Sequence, residues 1–126
     1  MTSHHTILVV DDRRVSRMLI RAIITHADPQ ATVIEANNGE EALAAAESAQ
    51  ITIATLDLNM PGMDGLLLAS KLLQRFPQAK IGLLTANIQE SIQNKAEALG
   101  IGFISKPITE EKILSFILKK TGNSLP

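Results

Sequence analysis

Short strand-like runs alternate with stretches of helical spacing along the whole of this chain, and that alternation limits what it can fold into more than any other feature. The runs are TILVV at 6–10, TVIEA at 32–36, ITIATL at 51–56, KIGLL at 80–84 and GFIS at 102–105. Apolar runs of this length, bounded by turn residues, read as buried parallel strands. Between them, residues 13–26 carry Val15, Met18, Leu19, Ala22 and Ile23 at helical spacing, up to the break at Asp28-Pro29. Asn38-Gly39-Glu40-Glu41 reads as a cap with an acidic first turn, opening an Ala-rich helix to about residue 48. Further helices are predicted over 64–75, 88–99 and 109–120, with Pro77 breaking the chain after the first of them and a frayed tail over 121–126. Five strands alternating with five helices through short loops require right-handed crossovers, hence a parallel sheet covered on both faces.

Parallel strands bring their carboxyl ends to one edge of the sheet, where open α/β sheets carry their sites. Four of the runs end in polar groups: Asp11-Asp12 after the first, Asp57 after the third, Thr85 after the fourth and Lys106 after the fifth. Three carboxylates, a hydroxyl and an ammonium therefore converge. Three carboxylates brought together without a cation repel and raise one another's pKa. Two or three of them, leaving room for water, suit Mg2+. A carboxylate is also a covalent nucleophile in phosphoryl transfer, and an ammonium, a hydroxyl and backbone N–H groups stabilise the charge on the transferred group. The plainer reading of Asp12 is a helix cap.

The remaining numbers narrow the class. A length of 126 residues is one domain, 1–126, and a hydrophobic fraction of 45 % is that of a globular chain. There is no cysteine, so neither disulfides nor thiolate metal sites arise, and a cytoplasmic location is expected. No signal-peptide pattern or membrane-length apolar run is present. A net charge of −1 gives no bulk attraction to DNA or anionic membranes.

Quoted together, ILVVDD, LDLNMPGMDG, LLTAN and FISKP resemble the receiver domain of two-component response regulators, and the match covers almost the whole chain. The resemblance implies a flavodoxin-like (βα)5 doubly wound sheet with strand order 2-1-3-4-5. It also implies a role as phosphoacceptor rather than enzyme. Asp57 would take a phosphoryl group from a histidine kinase or histidine phosphotransfer protein. Asp11, Asp12, Asp57 and the Asn59 backbone carbonyl would hold Mg2+ (or Mn2+), with Asp11 acting directly or through water. Thr85, Ala86 and Lys106 would bind phosphoryl oxygens, Phe103 would be the aromatic switch, and Lys106-Pro107 would be a cis peptide. The output would go to a downstream protein target, in chemotaxis-type signalling or a phosphorelay, from a monomer or a phosphorylation-dependent dimer. No DNA-binding or catalytic output domain fits in 126 residues, so a stand-alone receiver is expected, the alternative being a receiver cut from a longer response regulator with an output domain.

Two departures from the family pattern fall in the output half: ALGIGFISKP is one residue short, and Gly82 lies inside a strand, where glycine ordinarily weakens pairing. Two other classes fit less well. A haloacid-dehalogenase-type phosphatase needs a DxD pair, where this chain has Asp57-Leu58-Asn59, and a flavodoxin-type FMN carrier needs a phosphate loop where Asp11-Asp12 stands. Arg13, Arg17 and Arg21, spaced by four, with Arg14 beside them, read as a solvated helix face or a docking patch. His4 and His5 read as a tail, Met60 and Met63 as loop packing, and Leu118 as the apolar residue of the last helix that faces solvent.

Overall fold

A computed structural model describes residues 4–86 and 89–118. The strands are β1 (Thr6–Val10), β2 (Thr32–Ala36), β3 (Ile53–Asp57), β4 (Lys80–Thr85) and β5 (Gly102–Ser105). The helices are α1 (Arg14–Ala27), α2 (Gly39–Ala46), α3 (Gly65–Arg75), α4 (Glu90–Leu99) and α5 (Glu110–Leu118). All strand pairs are parallel, in the order β2-β1-β3-β4-β5. This is the flavodoxin-like (βα)5 arrangement.

The run 7–10 shows why the fold needs apolar residues on both faces of its strands. Ile7 and Val9 point to one layer, with Ile20, Ile23 and Ile24 of α1 and Ile113 of α5. Leu8 and Val10 point to the other, with Ala42 and Ala46 of α2, Leu68 and Leu72 of α3 and Ala96 of α4. All four are fully buried. Each such side chain contributes about 1.5–3 kcal/mol by leaving water.

Local chemistry sets the helix ends. Asn38 accepts from the Glu41 N–H at 2.9 Å, while the Glu41 carboxylate accepts from the Asn37 N–H at 2.7 Å. Asp64 accepts from the Leu67 N–H at 2.9 Å. Each such cap stabilises its helix by about 1 kcal/mol. At the other end of a helix, α4 stops at Gly100, whose φ of +76° closes the turn in a conformation that other residues rarely take.

Three expectations are revised and one is sharpened. Val15, Met18, Leu19, Ala22 and Ile23 all lie in α1, as their helical spacing predicts, but of these five Ile23 alone is buried, and it is Ile20, Ile23 and Ile24 that face the sheet. The helix carries two apolar stripes, and the sheet takes the β-branched one. His4 and His5 are more than a tail, since the His5 ring nitrogen lies 3.1 Å from the Thr52 hydroxyl and that of His4 lies 3.4 Å from the Gln30 carbonyl oxygen. Gly82 is a seat rather than a weak point: a methyl there would lie 2.8 Å from the tip of the Phe116 ring. Its cross-strand partner Gly102 lines the same ring, and Lys80 stands 5.1 Å above the ring centre. Finally, β3 begins two residues later than expected and includes Asp57 as its last residue. Ile88, Lys119, Lys120 and the tail 121–126 lie outside the described residues.

Candidate functional site

The strand ends deliver the acidic residues to one place. Asp57 closes β3, while Asp11 and Asp12 follow β1, its neighbour in the sheet. One carboxylate oxygen from each of the three lies within 4.8 Å of the others. Asp11 is fully buried, Asp57 is 3 % exposed, and Asp12 faces solvent.

Asp11 shows what the cluster lacks. Its Oδ1 accepts from the Arg13 N–H at 2.9 Å, but its Oδ2 is buried and has no hydrogen-bond partner among the described residues. Burial pushes the Asp11 carboxyl above its usual value, and the charges of Asp57 and Asp12 push the same way. The Arg13 N–H and Lys106 pull against that rise. An unpartnered buried oxygen in an all-oxygen donor set fits a hard divalent cation such as Mg2+.

Asp12 is not a helix cap. The N-cap position of α1 is Arg13, which makes no side-chain cap bond, and the carboxylate that accepts from that turn belongs to Asp11. Asp12 is therefore spared for the cluster.

Lys106 closes the other side. Its ammonium donates to Asp57 Oδ1 at 2.9 Å, and its backbone N–H donates to the Thr85 carbonyl at 2.9 Å. Strands β3 and β4 are in register at Asp57 and Leu84, so Thr85 stands one residue beyond Asp57's partner, fully buried. Ala86 follows in an exposed bend, and Asn59 is exposed two residues after Asp57. Phe103 lies within β5, half-buried against the α2–α3–α4 side of the core, where Ile92 also packs. The Lys106-Pro107 peptide is cis.

Three residues matter more than their sequence context suggests. Arg17, one of the arginines on the α1 stripe, has a side chain only 15 % exposed. It donates to the Asp11 carbonyl at 2.7 Å, to Asn37 Oδ1 at 3.3 Å and to Glu35 at 3.1 Å. Arg21 joins the second oxygen of Glu35 at 3.1 Å. The arginine stripe is thus partly an internal brace tying the turn after β1 to β2. Gly65 packs against Asp57 itself, and Lys112 holds the loop around Lys106. Arg17 is detectable only once the pairing of β1 with β2 brings Glu35 alongside, and Gly65 only once α3 rests on the end of β3.

Residues 7–118 match the family model described as the response regulator receiver domain. The chemotaxis protein CheY of Listeria monocytogenes is 33 % identical over 114 residues, which cover 90 % of this chain and 95 % of that one. The solved structure of chemotaxis protein CheY4 of Vibrio cholerae is similar with a TM-score of 0.85 at 26 % identity, covering 92 % of this chain and 98 % of that one. A structure from Borrelia burgdorferi, described as a complex of CheX with CheY, BeF3 and Mg2+, is similar with a TM-score of 0.82 at 28 % identity, covering 90 % of this chain and 87 % of that one.

Proposed function

The chain belongs to the response regulator receiver family of two-component signalling, in its CheY-like form, and from that premise we propose that it relays a phosphoryl group carried on Asp57. The observation that carries this reading is the 2.9 Å pair of Lys106 with an Asp57 set beside two further carboxylates. The donor is the phosphohistidine of a histidine kinase or histidine phosphotransfer protein. An Asp57 carboxylate oxygen attacks phosphorus, the P–N bond breaks, and the histidine nitrogen keeps the electron pair.

Asp11, Asp12, Asp57 and the Asn59 carbonyl would hold Mg2+ (or Mn2+). Bound there, the ion offsets the carboxylate charge and that of the phosphoryl oxygens. Lys106 turns its ammonium from Asp57 to a phosphoryl oxygen, while the Thr85 hydroxyl and the Ala86 N–H bind the others. The protein serves as an acceptor rather than a multiple-turnover enzyme, and it acts in the cytoplasm. The absence of cysteine accords with that location, and no described helix is long and apolar enough to cross a membrane.

The exposed stripe on α1 supports a protein donor. Val15 is 78 % exposed, Met18 54 % and Leu19 44 %, and the stripe begins three residues after Asp12. Apolar groups left in water beside a reactive centre suit a helix pressed against them while its histidine reaches Asp57. Output uses the β5 edge of the sheet. There β5 and α5 line an open groove of about 820 Å³ that includes Phe103, Ser105, Glu111, Ser115 and Phe116. Movement of Thr85 toward the phosphoryl group lets the Phe103 ring turn inward, which reshapes this surface for a protein target.

Incubation with acetyl phosphate and Mg2+ tests the acceptor by intact mass. Wild type should gain one phosphoryl group and Asp57→Asn none; equal labelling of both removes Asp57 from the role. Val15→Glu should slow transfer from a protein donor and leave labelling by acetyl phosphate intact.

A further inference from the structure

Lys112 occupies an unfavourable place for a cation. Thr109 Oγ1 accepts from the Lys112 N–H at 3.1 Å, so Thr109 caps α5 and Lys112 falls in its first turn. The positive end of a helix dipole disfavours an ammonium there and favours acids such as its neighbours Glu110 and Glu111. The Lys112 side chain folds back out of that turn. Its ammonium donates to the Ser105 carbonyl at 2.9 Å, to the Pro107 carbonyl at 3.3 Å and to the Ser105 hydroxyl at 3.3 Å. An ammonium has three N–H donors, and here three oxygens surround it.

The two carbonyls belong to the residues on either side of Lys106. The peptide joining Ser105 to Lys106 is therefore held at both ends, its C=O by Lys112 and its N–H by the Thr85 carbonyl at 2.9 Å. From this backbone the Lys106 side chain reaches Asp57. Lys106 is only as well aimed as the backbone it starts from, and small misplacements of a charged group are costly to transfer.

We infer that Lys112 is a positioning residue for Lys106: by gripping the carbonyls that flank it, Lys112 sets how well the Lys106 ammonium meets Asp57 and the phosphoryl group placed there. The inference rests on the reading of Asp57 as phosphoryl acceptor. It requires that the effect of Lys112 pass through Lys106, and a cycle of four proteins reads that coupling directly.

Initial rates of labelling by acetyl phosphate and Mg2+ are compared for wild type, Lys112→Met, Lys106→Ala and the double variant, with a thermal melt of each. Lys112→Met should slow labelling by about three- to tenfold, toward the lower end of the range in which coupled neighbours interact, and should leave the Lys106→Ala rate unchanged. Lys112→Arg, which keeps charge and donors, should recover most of the rate. A wild-type rate for Lys112→Met, or equal slowing in both backgrounds, overturns the inference. Should Lys112→Met melt below the assay temperature, Lys112→Gln takes its place in the cycle and is judged by the same two outcomes. An unlabelled wild type is a separate result and counts against Asp57 as the acceptor.

Discussion

Gly65 lies so close to Asp57 that a methyl group on its Cα would sit 2.5 Å from the Asp57 carbonyl oxygen. The same methyl would lie 2.8 Å from Leu83 Cδ1 and 3.0 Å from Leu58 Cα. The first residue of α3 thus rests directly on the backbone that carries the candidate acceptor, and two of these three neighbours are backbone atoms that cannot swing aside. Gly65→Ala should therefore destabilise the fold by about 1–3 kcal/mol, the usual cost of overpacking, and reduce labelling of the protein that remains folded. Urea unfolding and acetyl phosphate labelling check both. Wild-type behaviour in the two assays would show that the contact relaxes freely.

Asp11 gives a pH signature in metal-free protein. Its folded pKa lies above the ordinary 3.8 because of burial, so the folded state holds its proton more tightly than the unfolded chain does. The contribution of Asp11 to stability is then fully present below that value and is lost as pH rises through the raised folded pKa. Asp11→Asn lacks this loss and gives the Asp57 and Asp12 carboxylates an N–H donor. In a chelator it should be more stable than wild type at neutral pH, with the advantage narrowing as pH falls toward 3.8. Mg2+ should reverse the order, since about 2.7 kcal/mol accrues to wild type at a hundredfold excess over Kd. Melting curves at several pH values, with and without Mg2+, decide the matter.

Asp12 separates a ligand from a cap. Because the N-cap of α1 is Arg13 and Asp12 makes no cap bond to it among the described residues, Asp12→Ala should leave the metal-free melting temperature unchanged or raise it. Mg2+ affinity should fall by more than about tenfold, a loss of about 1.4 kcal/mol. Calorimetric titration with Mg2+ measures the second quantity. A lower melting point with unchanged affinity would return Asp12 to a structural role.

Phe103 has no hydroxyl, so a switch at this position works by ring packing. Phe103→Tyr should label normally and bind the downstream partner with altered affinity. Amide spectra with and without a beryllofluoride mimic should show Thr85, Phe103, Ile92 and Leu118 moving together. Leu118 is 68 % exposed in the present state, and Ile92 is partly buried against the same core cluster as Phe103. If those resonances stay still while Asp57 is saturated, output leaves by another face.

Much of this was legible in residue order because parallel strands turn sequence into geometry. A polar residue at the end of each apolar run must reach the same sheet edge, so Asp11, Asp12, Asp57, Thr85 and Lys106 announce their meeting without coordinates. The helix start at Asn38 is legible for a different reason, since a cap is local chemistry, and the same chemistry operates at Asp64 and Gly100. What only the tertiary structure decided depends on which surfaces touch. Helical periodicity shows that α1 has apolar stripes, but contact with the sheet selects Ile20, Ile23 and Ile24 and leaves Val15, Met18 and Leu19 in water. Arg17 becomes a brace when β2 brings Glu35 alongside, and Lys112 a clamp when α5 folds back onto the loop around Lys106. Gly65 and Gly82 owe their residue type to atoms that arrive from α3's neighbours and from α5. Local propensity is a property of the chain, whereas burial and ion pairing are properties of partners that only the packed fold supplies.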